Sequence, residues 1–190
     1  ALGDLERGFQ ESDYIFEDRF TTPQVQHGAI EPHASIAQVD ATGRITVWGQ
    51  NDSPHRGRKE ISQALGIPQA RIRLLTGYVG GNFGGKGGLK TEAIAIALAH
   101  KVKGRPVRVV FSREEVFKTI TRSGCIICLK TGVRRDGIIM ARDVRLIWDI
   151  GAYAEKGPTV SLHGGSLAIG PYVVPNGRVE SFTVFTNKPM

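Results

Sequence analysis

The sequence is poor in cysteine and has no long apolar segment. Cys125 and Cys128 are the two cysteines among 190 residues, so we expect no disulfide framework. No apolar run reaches the roughly 18 residues of a membrane-spanning helix. The first ten residues lack the basic and apolar regions of a signal peptide. These absences favour a cytoplasmic protein in a reducing compartment, without a membrane span.

The sequence also lacks any run of five or more basic residues, although its formal net charge is +7. Lysine and arginine are spread along the chain, which is typical of a solvated surface. Aromatic residues are not interleaved with the basic ones, as they are in many nucleic-acid-binding proteins. The composition therefore argues against nucleic acid as a partner and is compatible with anionic groups or acidic partner surfaces.

Local patterns predict a mixed order of strands and helices. A helix over 58–65 would be started by Ser53 and Pro54 and ended by Gly66. A second helix over 91–103 is apolar on almost every side, which indicates deep burial. The predicted strands are 14–20, 34–39, 44–50, 71–76, 105–112, 126–135, 138–151 and 179–187, and the Gly- and Pro-rich residues 157–178 indicate a loop region.

This order lacks strict alternation of strand and helix, so it predicts an α+β fold. We expect two related lobes, each with a mixed β-sheet packed against one main helix. The first lobe would cover residues 1–76 and the second residues 89–190. Residues 77–88 would connect them as a glycine-rich loop.

The connecting stretch GYVGGNFGGKGG contains seven glycines in twelve positions, and we call residues 77–88 the glycine loop. A packed strand or helix disfavours this composition, because glycine loses more backbone entropy on folding than any other residue. One interpretation is a nucleotide-binding loop, since Gly80, Gly85 and Lys86 fit the pattern G-x-x-x-x-G-K. Against it, Gly87 stands where Ser or Thr should follow to hold magnesium.

Two other interpretations of the glycine loop remain open on the residues alone. A flexible turn between lobes explains the glycines but not the insertion of Phe83 and Lys86 among them. Close approach of the backbone to a bulky, oxygen-rich cofactor explains both, because successive N–H groups without a Cβ nearby can point at anionic oxygens. The helix that follows would add its weakly positive N-terminal end.

Several stretches, taken together, resemble the molybdenum hydroxylase family of xanthine dehydrogenase, aldehyde oxidase and their bacterial relatives. The glycine loop looks like the family's GGxFGGK loop, and the other matches occur in the same order and at similar spacing. The likeness extends over most of residues 10–190. The further matching stretches are HGAIEPHASIA (27–37), TVWGQN (46–51), LGIPQARIRL (65–74), GRPVRVVFSREE (104–115) and DIGAY (149–153).

The resemblance implies the first part of the molybdopterin-binding region of a large subunit. In that family a pterin dithiolene holds molybdenum, usually as a dinucleotide in bacteria. The enzymes hydroxylate an aldehyde or an N-heterocycle carbon with oxygen from water. Iron–sulfur and flavin (FAD) modules elsewhere carry the electrons away, so the expected partners are those modules and the remainder of the molybdopterin-binding subunit.

The resemblance also assigns cofactor-binding residues in this chain. Gln50 matches the family glutamine that hydrogen-bonds a molybdenum oxygen ligand, a role that suits a neutral amide donor. Phe83 and Gly84 match residues lying against the metal and substrate. The backbone N–H groups of these two residues, with those of Gly81 and Gly85, would donate to oxo or pterin groups.

No catalytic residue and no metal ligand is expected in this chain. The family's general base is a glutamate near the C-terminus of the large subunit, outside these residues. Lys86 has two interpretations, a positive charge near the cofactor or a solvated loop cation. Xanthine dehydrogenase has a glutamate directly after the loop lysine, whereas this chain has Gly87, which argues against a purine substrate.

We therefore expect the 190 residues to be an inactive fragment that binds no cofactor alone. Without a cofactor, residues 79–88 should be mobile, because exposed glycine-rich backbone has little to hold it. An alternative of a different class is a non-catalytic structural or assembly module that retains the fold. Stoichiometric molybdenum and pterin in the intact polypeptide, purified with its neighbours, would separate these two functions.

Other candidate residues rank lower. Cys125 and Cys128 form a C-x-x-C, but no second pair or nearby histidine completes a zinc site, and on a strand the two side chains would face opposite ways. His27, Glu31 and His33 could form a metal cluster, although hydrogen-bonded or surface roles are favoured.

Overall fold

We describe residues 1–102 and 104–188 from a computed structural model of the chain. Its helices are α1 (Leu5–Gln10), α2 (Pro54–Leu65), α3 (Glu92–Ala99), α4 (Arg113–Phe117) and α5 (Gly157–Leu167), with a 3₁₀ turn at Gln69–Arg71. Its strands are β1 (Tyr14–Thr22), β2 (Val25–Gln26), β3 (Ala34–Val39), β4 (Ile45–Gly49), β5 (Ile72–Thr76), β6 (Val107–Val110), β7 (Thr121–Arg122), β8 (Gly124–Val133), β9 (Ile139–Asp149) and β10 (Asn176–Val184). None of the described helices is long and apolar enough to cross a membrane.

The chain folds into two compact units, one of which is made of two separate stretches of the sequence. The central unit is Gln26–Ile120, and the flanking unit combines Ala1–Val25 with Thr121–Met190. These boundaries differ from the predicted lobes 1–76 and 89–190, because β1 pairs along its length with β8, with Tyr14 opposite Val133. No local pattern reveals a pairing across such a sequence separation. The glycine loop lies inside the central unit rather than between units.

The α+β fold class is confirmed in both units, and the two four-stranded sheets are mixed, beside a two-stranded sheet of β2 and β7. The central sheet has the order β5-β4-β3-β6, with β4 and β5 parallel and the other neighbours antiparallel. The flanking sheet has the order β1-β8-β9-β10, with β9 and β10 parallel. Each four-stranded sheet is contacted by two helices, α2 and α3 in the central unit and α1 and α5 in the flanking unit. The sequence predicted one main helix for each.

The central core forms between the sheet and its two helices. Ile45 and Val47 of β4, Ile61 of α2 and Ile96 of α3 are completely buried in one cluster. Pro54 occupies the first turn of α2, where a missing N–H costs nothing. Gly66 ends this helix with φ of 67°, as the sequence predicted. The predicted strands 34–39 and 44–50 are confirmed as β3 and β4, which pair as an antiparallel hairpin.

Helix α3 is shorter and less buried than the sequence predicted. It ends at Ala99, and Ile94 and Leu98 are 44% and 47% exposed. The helix packs on β3 and β6 through the face that carries Ala95 and Ile96. Among the described residues, the apolar side chains that surround this helix are thus buried only on the side that faces the sheet.

Helix α5 replaces the first half of the loop predicted over 157–178. Pro158 lies in its first turn, which tolerates proline, so the residue that suggested a loop is compatible with a helix start. Gly164 and Gly165 lie within the helix where added Cβ atoms would meet Trp148 and Ser181. Close packing on the sheet, which the sequence does not reveal, accounts for these glycines.

Candidate functional site

The glycine loop connects β5 to α3 and has a turn at its centre. The N–H of Gly85 donates to the carbonyl of Asn82 at 2.7 Å, and the N–H of Lys86 donates to Asn82 Oδ1 at 2.8 Å. Phe83 and Gly84 between them have positive φ angles of 51° and 92°. Asn82 thus closes the turn with both its backbone and its side chain.

Several glycines of the loop are required by contacts within the chain itself. A Cβ on Gly80 would lie 2.6 Å from Glu31 Oε2, and one on Gly81 would lie 2.9 Å from the Phe83 ring. A Cβ on Gly85 would lie 3.1 Å from His27 Nδ1. These three positions lack space for a side chain even without a ligand, so close internal packing already explains much of the glycine content.

Gly84 differs from those glycines because space is available beside it. Its Cβ would meet nothing closer than His27 Nε2 at 3.8 Å, an ordinary contact distance. The constraint on this residue is its φ of 92°, which L side chains rarely adopt. The backbone at Gly84 therefore has an uncrowded side, consistent with the predicted approach of another group.

Lys86 is buried and paired, which excludes its interpretation as a solvated loop cation. Its side chain is 2% exposed, and its Nζ lies 2.5 Å from Glu31 Oε2. The N–H of Gly80 donates to the same carboxylate oxygen at 2.6 Å. Glu31, just before β3, therefore receives donors from two positions of the glycine loop.

The charge of Glu31 is stabilised in this arrangement. The pKa of Glu31 is lowered, first by the hydrogen bond from Lys86, against the opposing effect of desolvation, and then by the Gly80 N–H. The side-chain amide of Gln50 makes a smaller contribution in the same direction. The carboxylate is therefore ionised at neutral pH and attracts the amide N–H₂ end of Gln50.

Gln50 follows the last residue of β4 and is half-buried. Its Oε1 accepts the N–H of Ala34 at 3.0 Å, which sets the orientation of the amide and leaves the Nε2 end as a donor. Gln50 also lines a shallow groove of about 260 Å³ beside Ala34, Trp48 and Gly77. A neutral hydrogen-bond donor is thus held at the rim of an open groove.

Residues after Gln50 hold the other end of the glycine loop. The Asn51 side chain is buried and donates to the carbonyl of Gly88 at 3.1 Å. The N–H of Asp52 donates to the carbonyl of Lys86 at 3.3 Å, and Asp52 Oδ2 accepts from Asn82 at 2.7 Å. These contacts favour an ordered loop over the mobile one that the sequence suggested.

Some backbone donors of the loop have no acceptor among the described residues. The N–H groups of Gly81 and Phe83 form no hydrogen bond there, nor do those of the buried residues Gly87 and Gly88. Buried N–H groups are almost always paired in folded proteins. The loop is therefore chemically suited to a group that offers oxygen acceptors.

His33 lies buried next to this loop and is held neutral. Its pKa is lowered to about 4, first by burial and then by the positive charges of Lys90 and Lys86. The predicted alternative of a metal cluster with His27 and Glu31 gains no support, since no metal-binding group of three such side chains occurs among residues 1–102 and 104–188.

The five predicted cofactor-binding residues all lie in the central unit. Gly85 is buried, Gln50, Gly81 and Gly84 are half-buried, and Phe83 is 74% exposed. Of the lower-ranked candidates, Cys125 and Cys128 lie in the flanking unit, where they are free thiols of β8.

Sequence reasoning missed the residues that hold the loop. For Glu31 the sequence favoured a hydrogen-bonded or surface role over a metal cluster but indicated no partner, and Asn51, Asp52 and Asn82 were not singled out. The sequence did contain a signal for the role of Glu31. This carboxylate lies in the stretch 27–37, which resembles the family, and a carboxylate is a natural partner for the positive charge of Lys86. Their separation of 55 residues hides the pairing until the chain is folded.

Comparisons with known proteins show that this chain is similar to molybdopterin proteins. A family model described as the molybdopterin cofactor-binding domain matches residues 1–190. The nicotinate dehydrogenase large molybdopterin subunit of Eubacterium barkeri is 36% identical over 189 residues, covering 99% of this chain and 44% of that subunit. The xanthine dehydrogenase molybdenum-binding subunit of Escherichia coli is 33% identical over 190 residues, covering 100% of this chain and 25% of that subunit.

A solved structure shows the same fold. The aldehyde oxidoreductase of Desulfovibrio gigas superimposes with a TM-score of 0.92 at 26% identity, covering 99% of this chain and 21% of that one. The chain thus spans less than half the length of each of these relatives.

Proposed function

Because the chain belongs to the molybdopterin cofactor-binding domain family, we propose that it is part of a molybdopterin-dependent oxidoreductase. The enzyme would hydroxylate an aldehyde or an N-heterocycle with oxygen from water. The observation that carries this proposal is the match of the family model to all 190 residues. Relatives named as nicotinate and xanthine dehydrogenase subunits support the reaction class.

The geometry of the glycine loop supports a binding role in that enzyme. Gln50 would donate through its amide, while Gly81 and Phe83 would donate through backbone N–H groups that have no acceptor among the described residues. Gly84 would provide the uncrowded backbone, and Gly85 would close the turn beneath it. When bound, the molybdenum–pterin group supplies the redox chemistry of the hydroxylation.

This chain would bind and orient, whereas proton transfer would belong to residues elsewhere in the complete subunit. His33 is neutral and buried, and Glu31 is engaged by Lys86, so neither is available as a general base. The chain spans 44% of the nicotinate dehydrogenase subunit and 25% of the xanthine dehydrogenase subunit. The general base is accordingly proposed to lie in the remaining part.

The proposed surroundings of the chain follow from the family. We propose a dinucleotide form of the cofactor, iron–sulfur and FAD modules as electron-transfer partners, and a cytoplasmic location. A relative named as subunit gamma of a 6-hydroxypseudooxynicotine dehydrogenase complex, from Paenarthrobacter nicotinovorans, supports an assembly of several subunits.

The substrate would be an aldehyde or an N-heterocycle other than a purine. Gly87 stands directly after Lys86, where the resembling xanthine dehydrogenase carries a glutamate. Glycine offers no side chain to orient a purine ring. Turnover of aldehydes and of pyridine-type heterocycles, measured beside xanthine, tests this choice.

Metal and pterin analysis tests the function as a whole. The complete subunit, purified with its neighbouring subunits, should contain about one molybdenum and one pterin per chain and should hydroxylate at least one compound of the proposed classes. The isolated 190-residue chain should contain neither. A complete complex that assembles without pterin would instead support a structural or assembly module.

A further inference from the structure

We propose that Glu31 is a positioning residue that holds the glycine loop and Gln50 in their cofactor-binding arrangement before the cofactor binds. The proposal rests on the proposed function for the identity of the bound group. The ordering of the loop by Glu31 can be measured without that group.

Donors from two positions of the glycine loop converge on the Glu31 carboxylate. Lys86 Nζ lies 2.5 Å and the Gly80 N–H 2.6 Å from the same oxygen, Oε2. These two donors lie on either side of the positive-φ residues Phe83 and Gly84. One carboxylate therefore connects both arms of the loop around its central turn.

The partner of Glu31 is buried, which makes the pairing hard to replace. The Lys86 side chain is 2% exposed, and no other carboxylate pairs with it among the described residues. Removing one partner of a buried ion pair leaves an uncompensated charge, which is much more costly than losing an exposed pair. Without Glu31 we expect Lys86 to leave its site and to take the loop backbone with it.

The same carboxylate acts on Gln50 through the orientation of the amide. Ala34 donates its N–H to Gln50 Oε1 at 3.0 Å from one side. The negative charge of Glu31 favours the same orientation, in which the N–H₂ end is the donor. The Ala34 hydrogen bond therefore sets the amide orientation in which Gln50 presents a donor, and Glu31 reinforces it.

If the Glu31–Lys86 pair had a purely structural role, substitution of Glu31 would have a different outcome. It would change the stability of the subunit without a specific effect on the loop or on cofactor retention. The matched control is Asp143→Asn, which removes the Arg178–Asp143 pair of β9 and β10, with a contact of 2.6 Å in the flanking unit. This variant loses an ion pair of similar length that touches no proposed site residue.

The experiment compares hydrogen exchange in the complete subunit produced in a host that cannot make molybdopterin. In Glu31→Gln, we expect exchange of the hydrogen-bonded amides within residues 80–86, those of Gly80, Gly85 and Lys86, to become faster by about tenfold or more, with other regions unchanged. Asp143→Asn should leave these amides as protected as in the unaltered protein. Unchanged protection of residues 80–86 in Glu31→Gln would overturn the proposal.

A double variant separates positioning from the penalty of a buried charge. In Glu31→Gln combined with Lys86→Met no unpaired charge remains, so the melting temperature should recover relative to Glu31→Gln alone. Fast exchange of residues 80–86 should persist, because no carboxylate connects the loop. Full recovery of protection would mean that Glu31 merely neutralises Lys86, and the proposal would fail.

The final measurement is the pterin content of the complete subunit produced in a host that makes molybdopterin. Glu31→Gln should retain several-fold less pterin than Asp143→Asn. If the unaltered subunit contains no pterin, the proposed function fails while the exchange result still reports on loop ordering. If Glu31→Gln shows fast exchange but full pterin content, the loop is ordered by Glu31 without any effect on binding, and positioning toward the cofactor is refuted.

Discussion

Phe83 and Gly84 are consecutive residues that both have positive φ angles, 51° and 92°. For phenylalanine this conformation is uncommon, and a residue held in it often belongs to a functional site. The turn closed by Asn82 maintains the pair, and 74% of the Phe83 side chain remains exposed. The backbone between these residues is thus presented outward rather than packed inward.

Replacing Gly84 by valine should harm function more than folding. The added side chain has space but would strain the backbone, because its φ of 92° disfavours a β-branched residue. Misplacing one backbone donor near developing charge typically costs about 100- to 1000-fold in rate. We expect Gly84→Val in the complete enzyme to show such a loss of turnover, or loss of molybdenum, with a small change in melting temperature.

The matched control for that variant is Gly43→Val. Gly43 has a φ of 79°, and its Cβ would meet nothing closer than Arg71 at 3.9 Å, so the backbone strain is comparable. It lies in the turn between β3 and β4, where the proposed site has no residue. Similar activity losses in both variants would show that strain alone explains the effect.

Gln50→Ala should lower turnover without unfolding the protein. It removes the amide donor at the groove, and loss of a residue that supports a metal centre typically costs about 10- to 100-fold in activity or metal affinity. Gln38→Ala is the control, since that amide donates to the carbonyl of Gly104 at 2.9 Å, outside the proposed site. Turnover and molybdenum content, measured beside thermal melts, check the prediction, and full activity in Gln50→Ala would contradict it.

His33 should make the stability of the protein depend on pH. Its pKa is about 4 in the folded chain, because of burial and of the positive charges of Lys90, Lys86 and Arg113, with His27 also nearby. The unfolded chain takes up this proton at about pH 6.5, so stability is complete above that pH and is lost as the pH falls toward 4. The slope attributable to His33 should reach up to about 1.4 kcal/mol per pH unit.

Urea unfolding of the 190-residue chain between about pH 7 and about pH 5 measures this slope. Over that range the lowered pKa of Glu31 keeps its carboxylate ionised, so it contributes little. We expect His33→Asn to have a shallower dependence on pH than the unaltered chain. The exposed His100, changed to Gln, serves as the control. Equal slopes in the unaltered chain and in His33→Asn would refute the assignment.

Gly164→Ala should destabilise the flanking unit, although alanine normally favours a helix by about 1 kcal/mol over glycine. The added Cβ would lie 2.5 Å from Cζ2 of Trp148, a ring held by its hydrogen bond to Ser181. Overpacking of this kind typically costs about 1–3 kcal/mol. We expect a lower melting temperature, which can be measured by monitoring thermal unfolding with tryptophan fluorescence and circular dichroism.

A second substitution tests whether the Trp148 ring is the cause. Combining Gly164→Ala with Trp148→Phe removes the atoms that the new Cβ would meet. The double variant should lose less stability than the sum of the two single variants. Strict additivity would place the effect elsewhere in α5.

Local patterns in the sequence determined much of the fold. Alternating apolar residues and the Asp136-Gly137 turn specify the long hairpin of β8 and β9, because side-chain period and turn chemistry act over a few residues. Pro54 and Gly66 bounded α2 correctly for the same reason. The glycine loop and the stretches around it also carried enough information to predict the family.

Tertiary structure alone decided the features that depend on distant residues. The pairing of β1 with β8 sets the division into units, and the packing of Gly164 on Trp148 makes a helix where glycines suggested a loop. The burial of Lys86 against Glu31 likewise follows from folding, because a lysine in a glycine-rich stretch is expected to be solvated until a carboxylate 55 residues away meets it. The sequence by itself thus determined the family and the residues that we propose as a cofactor-binding site. Folding determined what holds them in place, since hydrogen bonds and ion pairs act through space and not along the chain.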